Sequence, residues 1–120
     1  MGKEWEGRNG NRRMGAAIRN PMIYHIVLFR LKSGTAQETI DAAGRALLSM
    51  KQRIPDIRDV QWGANLGPSA AEYSHILLVS CDDMVAVQRY LDHPMHKQTV
   101  AEFIHPIRDA RMAADLEINR

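Results

Sequence analysis

Apolar residues along this 120-residue chain change their spacing several times, and each change predicts an element. Residues 23–32 (IYHIVLFRLK) are nearly all apolar and rich in Ile, Val, Leu and aromatics, which predicts a strand apolar on both faces. Alternation puts His25, Val27, Phe29 and Leu31 on one face and Tyr24, Ile26, Leu28 and Arg30 on the other. Over residues 35–54 the spacing lengthens: Ile40, Ala43, Leu47, Met50 and Ile54 recur at three- and four-residue steps, one stripe of a helix. Thr35 and Glu38 have the spacing of a capping box, and Pro55 ends the pattern.

A weaker strand is expected over 57–65, where Ile57, Val60 and Trp62 are the apolar content, followed by turn residues Gly67-Pro68-Ser69. Residues 73–81 (YSHILLVSC) again read as a strand apolar on both faces. Asp82 and Asp83 then offer an N-cap for a helix from Met84 to Leu91. Pro94 breaks it, a second helical piece covers Met95–Ile104, and Pro106 ends that. Over 110–118 the apolar set Ala110, Met112, Ala114, Leu116 and Ile118 alternates with Arg111, Ala113, Asp115 and Glu117, a half-exposed final strand. The order βαββαβ is that of a ferredoxin-like α+β domain, one four-stranded antiparallel sheet with helices on one face. Strands apolar on both faces cannot leave the other sheet face in water, so a second copy is expected to cover it.

Composition adds boundaries. Residues 1–21, with Gly2, Gly7, Gly10 and Gly15 and no periodicity, are expected to be a disordered tail, or an extension ahead of a working start at Met22. Five of the 16 Lys and Arg and two of the 14 Asp and Glu fall in residues 1–20, so the rest carries 11 bases against 12 acids. That near-neutral body gives no electrostatic reason to expect nucleic acid as partner. A single cysteine, Cys81, excludes an intramolecular disulfide and agrees with a cytoplasmic setting. No apolar run approaches the ~20 residues of a membrane span. Arg12-Arg13 is followed by too short an apolar run for a twin-arginine signal.

Three stretches, MIYHIVLFRLK, YSHILLVS and YLDHPMHKQ, together resemble the stress-responsive dimeric α/β-barrel (Dabb) family over residues 22–118. The most specific piece is Tyr90-x-x-His93-Pro94-x-His96. The resemblance implies a dimer whose two sheets close into a barrel. A plant polyketide cyclase of that family runs an intramolecular aldol condensation without cofactor or metal. Its catalytic Tyr and His match Tyr90 and His96, and its first-strand His matches His25. His75 falls in the family's Tyr-x-His strand motif and His93 in its His-Pro-x-His motif. That cyclase lines its cavity with aromatics from the first helix. Here those positions are Ala43, Gly44 and Leu47, so a long-chain polyketide is not expected, and the pocket should differ in shape or be largely filled.

The chemistry of these residue types agrees with a carbonyl substrate. A histidine that titrates near neutral pH can take a proton, and a tyrosine hydroxyl can donate to a carbonyl or developing enolate. If the His25 face meets the helices, His25, Tyr90 and His96 share one cavity lined by Val27, Phe29 and Leu47, with His75 and His93 as further binding candidates. Each histidine also has a structural reading, as a helix cap or a buried neutral ring bonded to backbone. A metal set of Asp92, His93 and His96 is disfavoured because Pro94 interrupts the helix between them. Neither a G-x-G-x-x-G nor a P-loop pattern occurs, so no cofactor is expected. Cys81 is expected to be a small buried side chain. Three functions follow: a cofactor-independent cyclase, isomerase or lyase; a non-catalytic stress-responsive dimer that binds a small ligand or a partner; and, by fold analogy, a cofactor-free monooxygenase.

Overall fold

The computed structural model describes residues 21–119. Apart from Pro21, the expected tail lies outside them. Strand β1 (Met22–Leu31) leads through a turn, with Gly34 at a φ of 81°, into helix α1 (Gln37–Ser49). A 3₁₀ turn over Met50–Gln52 continues it toward Ile54. Strands β2 (Asp59–Ala64) and β3 (His75–Cys81) follow, then helices α2 (Met84–Asp92) and α3 (Pro94–Thr99). A π-turn over Val100–Ile104 extends α3, and β4 (Arg108–Ile118) closes the domain. The sheet order is β2-β3-β1-β4 with every neighbouring pair antiparallel, the ferredoxin-like arrangement.

The core lies between the sheet and the helices. Ile23, Val27 and Phe29 of β1 meet Ala43 and Leu47 of α1 and Val87 and Tyr90 of α2. The expected α1 stripe is the buried one: Ile40, Ala43, Leu47, Met50 and Ile54 are all inside. Its start differs from expectation. Ala36 is the N-cap residue and makes no side-chain cap, while the Thr35 hydroxyl donates to the Lys32 carbonyl at 2.6 Å. The Gly34 turn consumes Thr35, so the capping box does not form. At α2 the Asp83 carboxylate does cap, accepting from the Ala86 N–H at 2.7 Å.

β4 turns its two faces the unexpected way round. Its polar residues Arg111 and Asp115 pair beside Phe29 and His25, on the helix side of the sheet. Its apolar set faces outward: Met112, Ala114 and Leu116 lie beside Leu28, Ile26 and Tyr24 of β1, which are flanked on the other side by Ile76, Leu78 and Ser80. Met112 and Leu116 remain 52% and 50% exposed. The outer sheet face is therefore a continuous apolar surface across three strands.

Trp62 explains why one first-helix position, Gly44, carries no side chain. Its ring packs on Phe29, with centroids 5.8 Å apart, and stacks on His75 at 5.2 Å. A Cβ added at Gly44 would lie 2.6 Å from the Trp62 ring. We expect Gly44→Ala to destabilise the domain by about 1–2 kcal/mol, overpacking outweighing a helix-propensity gain of up to about 1 kcal/mol. Thermal melts of the two proteins check this; an unchanged or raised Tm would mean that Trp62 yields freely.

Candidate functional site

A cavity of about 300 Å³ lies between the sheet and the helices. His25, Tyr90 and His96 all line it, as do Val27, Phe29 and Leu47. Its walls are built by β1, α1, β3 through Leu77, α2 with α3, the π-turn, and β4 through Arg108 and Arg111. That turn brings Val100 and Ile104 to the wall and His105 to the rim. The cavity is thus neither filled nor extended along α1, where Trp62 takes the space beside Gly44.

His25 stands on the inner face of β1 and is 5% exposed. Its Nδ1 is 2.7 Å from Oδ1 of Asp115, its cross-strand neighbour on β4. A carboxylate accepts, so Nδ1 carries the hydrogen, and Nε2 is the ring nitrogen not held by Asp115. His96 is oriented in the same sense. Its Nδ1 donates to the Leu91 carbonyl at 3.0 Å, which again leaves Nε2 as the basic nitrogen. Burial holds the His96 pKa below the ordinary histidine value. The Leu91 hydrogen bond opposes that shift, while the electrostatic influence of His25, Arg111 and Lys97 adds to it.

Tyr90 lies between the two rings, with centroids 6.0 Å from His25 and 4.7 Å from His96. It is 1% exposed, yet its hydroxyl has no hydrogen-bond partner among the described residues. Burial pushes its pKa far above the ordinary tyrosine range, so it remains a donor. Buried hydroxyls in folded proteins are nearly always paired, so this one stands out. We expect Tyr90→Phe to leave Tm unchanged or raise it, by up to about 1 kcal/mol in stability, because no protein hydrogen bond is lost. A clear loss of stability in the melt would show that the hydroxyl serves the fold.

The other candidates lie elsewhere. His75 is outside the cavity, stacked on Trp62, with Nδ1 2.8 Å from the Ser74 hydroxyl. Burial lowers its pKa, with Asp41 opposing. His93, also outside the cavity lining, ends α2 and caps α3: its Nδ1 accepts from the Met95 N–H at 3.0 Å, with Pro94 in the first turn. The Asp92 carboxylate takes bonds from Gln88. Among the described residues no three His, Cys, Asp or Glu side chains come together as a metal site. Cys81 is buried, and desolvation with nearby carboxylates pushes its thiol up to about 11, the environment of an inert cysteine. Sequence reasoning missed His105, Arg108 and Arg111 on the cavity lining, and Asp115 as the partner of His25. The alternation of 111, 115 and 117 with the apolar positions predicts a half-exposed strand but does not say which face meets the helices.

The cavity with its histidine and tyrosine side chains thus lies under the helices of a ferredoxin-like α+β domain. The model of the stress responsive A/B barrel domain matches residues 23–118, so the chain belongs to the Dabb family. An uncharacterized protein from Streptomyces coelicolor is 32% identical over 82 residues, 67% of this chain and 84% of that one. Olivetolic acid cyclase from Cannabis sativa is 24% identical over 76 residues, covering 62% of this chain and 75% of the cyclase. Among solved structures, a dimeric protein of unknown function with ferredoxin-like fold from Bacteroides fragilis superposes with a TM-score of 0.70 at 25% identity, covering 81% of this chain and 96% of that one. Hydroxynitrile lyase from Passiflora edulis gives a TM-score of 0.71 at 22% identity over 82% of this chain and 94% of the lyase, a likeness of fold.

Proposed function

We propose that this protein is a cofactor-independent acid–base enzyme of the cyclase or lyase kind, acting on a small carbonyl compound. The observation that carries the reading is the buried Tyr90 hydroxyl, without a hydrogen-bond partner among the described residues, set between two histidines on one cavity. Tyr90 donates to the substrate carbonyl and stabilises the enolate as it forms. His96 Nε2 takes the proton from the adjacent carbon. The proton held on His96 is then returned to the product, and His25, held by Asp115, keeps a second acceptor nitrogen, Nε2, across the cavity. Membership of a family that contains olivetolic acid cyclase supports the reaction class. The small cavity argues for a substrate shorter than a polyketide chain.

The same reading has the protein working as a homodimer in the cytoplasm. The exposed outer sheet face supports the first, together with the Bacteroides fragilis neighbour described as dimeric. A single buried cysteine agrees with the second. No helix among the described residues is long and apolar enough to cross a membrane.

Deuterium exchange tests the chemistry. Small aryl ketones and oxo acids are incubated with the protein in D₂O, and the loss of their α-proton NMR signals is followed. Catalysed exchange supports the enzyme. Binding at the cavity without exchange favours a non-catalytic ligand-binding dimer, a reading in line with the His96 Nδ1 bond to backbone.

A further inference from the structure

The rim of the cavity is strongly one-sided in charge. Arg108, Arg111 and His105 line it, and none of the thirteen lining residues is an acid. Most other arginines of the described body are neutralised: Arg30 pairs with Asp109, Arg58 with Asp82, and Arg89 with Asp56. Arg108 and Arg111 have no ion pair or side-chain hydrogen bond among the described residues. The one carboxylate near them on the inner face of β4, Asp115, is already bonded to His25. Two unpaired guanidinium groups beside a partly apolar cavity form a site for a planar anion, which the guanidinium fork binds with two parallel hydrogen bonds. β4 is the edge strand of the sheet and Arg111 is exposed, so its guanidinium stays open to a ligand entering the cavity. The positive field of Arg111 also reaches the two groups deeper in, Tyr90 and His96.

We propose that the substrate is a small oxo acid, its carboxylate held at the rim by Arg108 and Arg111 and its carbonyl end directed to Tyr90 and His96. This deepens the proposed acid–base reading and rests on it for the direction of the carbonyl. The carboxylate anchor would fix which end of the molecule enters. It would also raise the local concentration of anionic substrate through the positive rim.

The test compares benzoylpropionate with its methyl ester, which keeps the ketone and loses the charge. Binding is read by backbone amide shifts, and α-proton exchange is read on the same samples. We expect the acid to bind wild-type protein about ten- to a hundredfold more tightly than the ester. Arg111→Gln and Arg108→Gln should each remove most of that preference while leaving ester binding and Tm unchanged. If acid and ester bind wild-type protein equally, or if the arginine variants weaken both alike, the proposal is overturned. Failure of the two readings is separable. Ester that binds and exchanges with no preference for the acid sinks the carboxylate anchor alone. Arginine-dependent binding of the acid without exchange sustains the anchor and removes the catalytic reading.

Discussion

Replacing His96 by asparagine is expected to lower α-proton exchange by about 10²–10⁴-fold, the usual contribution of a positioned general base. Asparagine is the informative substitution because its amide nitrogen falls near the position of Nδ1. It can keep the bond to the Leu91 carbonyl, 3.0 Å away in the native ring, and it supplies no base where Nε2 stood. Fold and ligand affinity should therefore survive while the rate is lost. The native pH profile gives a second, independent reading. Only the neutral ring can accept a proton, and burial holds the His96 pKa below its ordinary 6.5. The rate should rise with pH through that depressed value and be level by pH ~7. A profile still climbing above neutrality would assign the base elsewhere. So would a His96→Asn protein that exchanges at the native rate.

That expectation depends on features that differ in how far the sequence exposes them. The two faces of β1 follow from strict alternation: of the four residues the pattern set on one face, His25, Val27 and Phe29 are buried on the helix side and Leu31 is half-buried. The α1 stripe is equally legible, because burial of a helix face depends on local spacing alone. The same holds for Pro94, whose place after His93 makes one residue both the end of α2 and the cap of α3. These are short-range matters. The capping box was misread because Gly34, at a positive φ, moves the start of α1 to Ala36 and turns Thr35 back on Lys32.

What the sequence concealed is long-range. His25 and Asp115 are 90 positions apart, and only the pairing of β1 with β4 makes them partners. Nothing local to Asp115 distinguishes it from the solvent-side carboxylate that an alternating strand usually carries. β4 defeats the ordinary inference that apolar faces point to the helices, since its apolar face is outward. Trp62 and Gly44 are likewise readable only as a pair: the small residue in α1 gives room to the large one in β2. The π-turn that carries His105 to the rim has no sequence signature of its own, and such turns recur at functional sites.

The outer face leads to the second large effect. Ile26→Asp is expected to convert the proposed homodimer into a monomer at micromolar concentration. Ile26 sits at the centre of the outer surface, between Leu78 and Ala114. A C2 interface buries the new carboxylate twice, at about 3–5 kcal/mol for each uncompensated charge, so the dissociation constant should rise by about 10⁴-fold or more. On a monomer the same side chain would lie on an open face and change little. Sedimentation velocity on both proteins decides the matter. Native protein that sediments as a monomer, or an unchanged dimer of the variant, would remove the homodimer. The effect should reach the cavity. In one protomer β4 is an edge strand that pairs only with β1, and its outward apolar residues have no cover. The same strand carries Asp115, Arg108 and Arg111. A β4 that frays when its outer face is uncovered loosens the partner of His25 and the charged rim together, so Ile26→Asp should lower α-proton exchange as well as association, although residue 26 faces away from the site.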